Sequence, residues 1–80
     1  MITIYSKNNC QACDQAKNYL KNHGVAYEEV KIDQVPAARE FLLNEGHRSV
    51  PQIYKGGSLF VDNGLIGLRQ MPVETLKTTA

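Results

Sequence analysis

Cys10 and Cys13 are the only cysteines in the 80-residue chain, three positions apart in "NNCQACDQAK". A disulfide stabilises mostly by closing a long loop of the unfolded chain, so a pair separated by two residues gains little. This spacing suits chemistry instead. One option is thiol–disulfide exchange, in which a thiolate attacks a disulfide sulfur and a second thiol resolves the adduct. The other is metal ligation. Zinc or an iron–sulfur centre takes about four donors, and beyond these two thiols the chain offers only the distant His23 and His47. A metal reading therefore needs ligands from a second copy or from added thiols, and no metal site within the chain is expected. A buried, inert pair is the third reading.

Bulk composition removes several function classes. Apolar residues make up 42% and charged residues 21%, the profile of an ordinary globule rather than a disordered chain. Nine Lys and Arg against eight Asp and Glu leave a net charge of +1, too little for a broad field toward nucleic acid or an anionic membrane. No stretch approaches the ~18 apolar residues of a membrane span, and the start "MITIYSKNNC" lacks the apolar core of a signal peptide. A single domain over 1–80, monomeric and cytoplasmic, is the expectation. In that compartment a cysteine pair is usually reduced, catalytic or metal-bound.

The elements that must position the pair follow from pattern. "MITIY" alternates β-branched and aromatic residues and reads as a strand over roughly 2–5. From Gln11 a helical pattern puts Ala12, Ala16, Tyr19 and Leu20 on one face and stops at Gly24. "VAYEEVKID" is a second strand, with Val30 and Ile32 on the face opposite Tyr27. Asp33 is a plausible cap, Pro36 belongs in the first turn of a second helix, and Ala38, Phe41 and Leu42 form its buried stripe before Gly46. "PQIYK" is a third strand opening at a proline. "DNG", residues 62–64, signals a hairpin turn between "SLFV" and "LIG". Pro72 opens a last helix over about 72–78. The expected class is α/β: order β-α-β-α-β-β-α, a four-stranded mixed sheet, helices on both faces. The first crossover is right-handed, and Cys10 falls in the loop at the carboxyl end of the first strand, where such folds place function.

"YSKNNCQAC", "SVPQIY" and "LIGLR", in this order, resemble the glutaredoxins and their relatives the NrdH-redoxins over nearly the whole chain. The resemblance implies a thioredoxin fold, thiol–disulfide exchange and no bound cofactor. Cys10 would sit at the edge of the first helix, where unpaired N–H groups and the helix dipole favour a thiolate. The dipole supplies only about 0.3–1 kcal/mol, so N–H bonds to the sulfur and the nearby Lys7 must add to it. Cys13, one turn inside and beside Asp14, should remain a thiol. Cys10 would then attack and Cys13 resolve. Gln11 and Ala12 stand where common glutaredoxins carry proline and tyrosine, leaving a less rigid turn without an aromatic wall. Val50–Pro51 reads as trans from base rates. The resemblance implies cis, with the Val50 backbone turned out to pair with an extended substrate.

The segment after the last strand bears on the reductant. Typical glutaredoxins carry paired glycines and acidic residues there, whereas this chain reads "LIGLRQMP", in which Gly67, Leu68 and Arg69 resemble in part the Ser-Gly-Phe-Arg-Pro segment of NrdH-redoxins. Lys7 and Arg48 are placed as in glutathione binders. "KGGSLFV" fits neither branch and reads as an insertion. Glutathione is thus the expected reducing co-substrate, thioredoxin reductase the alternative, and protein disulfides, ribonucleotide reductase among them, the expected clients. Tyr5, Tyr19 and Phe41 are read as core. His23 and His47 are read as helix-end or loop residues without a catalytic part.

Overall fold

The computed structural model describes residues 1–79. In chain order the elements are β1 (Ile2–Ser6), α1 (Gln11–Asn22), β2 (Tyr27–Lys31), α2 (Pro36–Asn44), β3 (Gln52–Lys55), β4 (Ser58–Val61), α3 (Gly64–Gln70) and α4 (Val73–Thr79). The sheet order is β2-β1-β3-β4. β1 runs parallel to β2, Ile4 opposite Glu29, and antiparallel to β3, Ile4 opposite Ile53. An antiparallel β4 closes the other edge, with an irregularity at Ile53/Tyr54.

Alternation along β1 divides the two faces. Ile2, Ile4 and Ser6 are fully buried on one side, where Ala16 and Leu20 of α1, Leu68 of α3 and Leu76 of α4 join Ile53 and Val61 in a single core. Each fully buried Ile or Leu is worth about 1.5–3 kcal/mol over its exposed state. On the other face Tyr5 and Tyr54 meet edge to face at 5.4 Å, and Phe41 of α2 packs on both. The expected α/β thioredoxin architecture, with helices on both faces, is therefore the observed one. Along α2 only Leu42 is fully covered; Ala38 and Phe41 are half-buried.

The chain departs from expectation between residues 55 and 70. The reversal into β4 is made by Gly56 and Gly57, at φ +59° and +84°, the left-handed pair a two-residue hairpin requires. "KGGSLFV" is thus not an insertion: it holds that turn and the last strand. "DNG" is no hairpin turn. Asn63, at φ +64°, stands at the N-cap position of α3 without a side-chain capping bond, and Gly64 is its first residue, so "LIG" is helical. A Cβ on Gly64 would lie 2.8 Å from the Pro51 carbonyl oxygen, so only glycine lets α3 begin this close to the Val50–Pro51 segment. Gly67 serves packing: a Cβ there would lie 1.6 Å from the Asp62 carbonyl oxygen. Gly67→Ala should therefore push α3 off β4 and cost about 1–3 kcal/mol or more, read as a lower urea midpoint. An unchanged midpoint would mean that α3 does not pack as described.

Candidate active site

The site grows from the end of β1. Ser6 is buried, and the next residues form a tethered loop: the Asn8 amide donates to Asp33 Oδ2 (3.1 Å) and Lys31 Nζ to Asn8 Oδ1 (3.0 Å). Asn9 takes a left-handed turn at φ +56°. Cys10 then adopts the extended backbone of an N-cap. Its Sγ accepts the Cys13 N–H at 3.2 Å, as the oxygen of a capping serine would. Cys10 and Cys13 are joined in a disulfide with Cα atoms 5.2 Å apart. Cys13 is fully buried and Cys10 half-buried, so only one sulfur faces outward. Gln11 is exposed and Ala12 half-buried.

The Val50–Pro51 bond is cis, and the Val50 carbonyl oxygen lies 3.9 Å from Cys10 Sγ. The segment is braced on both sides. Gln52 Nε2 donates to the Ser49 carbonyl (2.9 Å), and His47 Nε2 hydrogen-bonds the Tyr54 hydroxyl (2.7 Å), which also donates to Glu45 Oε1 at 3.4 Å. Burial, followed by the Glu45 charge, pushes the Tyr54 phenol up. His47 thus fastens the loop to the sheet.

Two open grooves meet at Val50, whose carbonyl lies beside Cys10 Sγ. Lys7, Arg39, Arg48 and Val50 line one, of about 300 Å³, with Asp33, Leu42 and Leu43. Ala12, Val50, Pro51 and Gln52 line the other, of about 1010 Å³, with Leu59 and residues 62–66. Lys7, Ala12, Arg48, Val50 and Pro51 therefore line these grooves, and of them the Val50 carbonyl stands beside the sulfur. The expected Gly67, Leu68 and Arg69 do not. Leu68 is fully buried in the core, Gly67 faces the Asp62 carbonyl, and Arg69 donates to Gln15 Oε1 on α1 (3.1 Å). Residues 62–66 occupy the position assigned to them, because the chain reverses at Gly56–Gly57 and not at "DNG". The glycine pair after "QIYK" was the available signal. Arg39 carried no signal beyond one more charge on a helix.

Beneath α1, Glu29 Oε2 accepts from the Ser6 hydroxyl (2.6 Å) and pairs with Lys17 (2.8 Å). Lys17 reaches Asp14 as well, at 3.4 Å, and the Asp14 side chain is 69% exposed. Asp14 is thus partly offset by Lys17 and bears less on Cys13 than its neighbouring position suggests. The Lys17 ammonium, then the Ser6 hydroxyl, hold the Glu29 carboxyl below its usual range; Glu29 in turn holds Lys17 above its own. Among the described residues no three His, Cys, Asp or Glu side chains are grouped to hold a metal ion, and no helix is long and apolar enough to cross a membrane.

The glutaredoxin family model matches residues 2–60. The chain belongs to the glutaredoxin family. It is 40% identical over 60 residues to the glutaredoxin-like protein NrdH of Lactococcus lactis, covering 75% of this chain and 83% of that one. To the Escherichia coli NrdH it is 38% identical over 55 residues, 69% and 68% of the two chains. Among solved structures, the thioredoxin-like protein BC3987 superposes with a TM-score of 0.72 at 31% identity, over 88% of this chain and 97% of that one. The NrdH-redoxin of Escherichia coli gives 0.69 at 34%, over 89% and 95%. This glutaredoxin-family chain is thus a thiol–disulfide oxidoreductase with a Cys-x-x-Cys pair.

A carboxylate whose pKa is lowered by folding stabilises above its unfolded value, and that stability is lost as pH falls through the folded value. Glu29→Gln should accordingly lower stability by about 1 kcal/mol at neutral pH, with the gap closing below the usual carboxylate range. Urea unfolding at several pH values checks this. A deficit unchanged in acid would show that the Glu29 charge is not its source.

Proposed function

We propose that the chain reduces protein disulfides through both of its cysteines. The Cys10 thiolate attacks one sulfur of a client disulfide, and the other client sulfur leaves as a thiolate and takes up a proton. Cys13 then loses its proton and attacks Cys10 Sγ, releasing the second client cysteine and leaving the Cys10–Cys13 disulfide. Two electrons pass to the client. The observation that carries this assignment is the asymmetry of the pair: Cys10 is partly open and receives the Cys13 N–H at Sγ, whereas Cys13 is fully covered. Burial disfavours a thiolate, so Cys13 waits as a thiol. The Val50 backbone beside the sulfur pairs with the client as a short added strand.

Thioredoxin reductase recharges the disulfide on this reading. The NrdH-redoxin of Escherichia coli is described as having a thioredoxin-like activity profile. The groove beside Pro51 also supports it, with Leu65 and Ile66 where glutathione-type members carry acidic residues. One observation favours a second reading, glutathione as reductant: Lys7, Arg39 and Arg48 share one groove and suit a tripeptide with two carboxylates. Ribonucleotide reductase is the client that the resemblance implies, and the cytoplasm the compartment.

Reduction of one oxidised protein should run faster with NADPH and thioredoxin reductase than with glutathione. The reverse order would transfer the assignment to glutathione, and reduction with neither would remove the catalytic reading. Cys13→Ser should accumulate a mixed disulfide at Cys10 and lose turnover of protein disulfides. Undiminished turnover would contradict the two-thiol scheme.

A further inference from the structure

The two grooves beside the redox pair are opposite in character. On the Arg48 side, Lys7, Arg39 and Arg48 face a single carboxylate, Asp33, which already accepts from the Asn8 amide. On the Pro51 side Ala12, Leu59, Leu65 and Ile66 supply aliphatic surface beside the uncharged polar Gln52 and Asn63, with Asp62 the one charged residue; His47, Ser49 and Val50 line both grooves. Leu59 is 38% and Ile66 64% exposed. Exposed apolar surface bordering a reactive group marks a binding surface more often than chance exposure does.

Backbone geometry orients a client across these grooves. Between them Val50 offers one N–H and one C=O, while Pro51 offers no N–H at all. In antiparallel pairing, two directly opposite residues exchange both hydrogen bonds, so a single client residue satisfies Val50. A parallel partner would need donors and acceptors spread over more than one residue. This chain runs from Arg48 toward Pro51. An antiparallel client therefore lays the residue before its cysteine on the aliphatic side and the residue after it among the cations.

Resting on the dithiol-exchange reading, we infer that the site selects client disulfides whose reacting cysteine is preceded by a large apolar residue and followed by an acidic one. Asp62 adds to the selection by repelling an acid placed before the cysteine, and Lys7, Arg39 and Arg48 attract one placed after it.

Two end-capped peptides of identical composition, one containing Leu-Cys-Glu and the other Glu-Cys-Leu, serve as probes, each oxidised to its symmetric disulfide dimer. Their rates of reduction by the reduced protein, each divided by its rate with dithiothreitol, should differ by about tenfold or more in favour of Leu-Cys-Glu, the scale on which an apolar pocket discriminates. Ile66→Lys, on an exposed helical position, should cut that ratio several-fold by making the aliphatic side cationic. Equal normalised rates in the wild type, or a ratio untouched by Ile66→Lys, would overturn the inference. Hydroxyethyl disulfide separates the two levels. If it is reduced while the peptides are not distinguished, only the selection rule fails. If no disulfide is reduced, the exchange reading fails and takes the rule with it.

Discussion

One hydrogen bond organises the site: the Cys13 N–H pointing at Cys10 Sγ over 3.2 Å. The first amides of a helix have no partner within it, and Cys10 occupies the cap position where a serine or aspartate oxygen would ordinarily answer them. In the disulfide the acceptor is a neutral sulfur. After reduction the same geometry presents a donor to a thiolate, and a hydrogen bond to a charged group is worth about 1.5–3 kcal/mol. That exceeds the 0.3–1 kcal/mol or so available from the helix dipole. On the dithiol-exchange reading, the capping bond, more than the dipole, would set Cys10 apart from an ordinary cysteine.

Much of the remaining structure holds this cap in place. Cys10 reaches its extended backbone through the left-handed turn at Asn9, fixed by Asn8 against Asp33 and Lys31. α1 is tied to β2 by Lys17 and Glu29, and Glu29 to β1 by Ser6. From the other direction, His47 and Tyr54 and Gln52 with Ser49 fasten the Val50–Pro51 segment across from the sulfur. Gly64 lets α3 start against Pro51, which brings Leu65 and Ile66 to the groove. Sheet, helix and loop thus meet at one half-open sulfur, and the grooves on its two sides inherit their chemistry from different elements.

How far this was legible in the sequence depended on whether local pattern and tertiary packing agreed. β1, α1, β2, α2 and β3 could be read because binary alternation, helical spacing and the stops at Gly24 and Gly46 all pointed one way. The places of the cysteine pair, Lys7, Arg48, Val50 and Pro51 came with them, since each lies in or beside those elements. Residues 55–70 contained two competing turn signals, Gly56-Gly57 and Asn63-Gly64. Asn63-Gly64 is the more conspicuous hairpin signal, yet it starts a helix. α3 has seven residues, two of them glycines, and so almost no intrinsic helix propensity. It forms because Leu68 is buried in the core and Gly67 fits against Asp62, contacts no local pattern encodes. That single shift in turn position put residues 67–69 in the expected place beside Pro51, where 62–66 stand.

The titration of the reduced pair bears most directly on the central claim. The rate of Cys10 alkylation by iodoacetamide, followed against pH, reports its thiolate fraction, and the capping bond should place the midpoint clearly below the free-cysteine value of roughly 8.5. A short-range bond should also leave that midpoint nearly unchanged by added salt, whereas attraction by exposed lysines would be screened. A Cys10 midpoint near the free-cysteine value, or one restored to it by salt, would contradict the account.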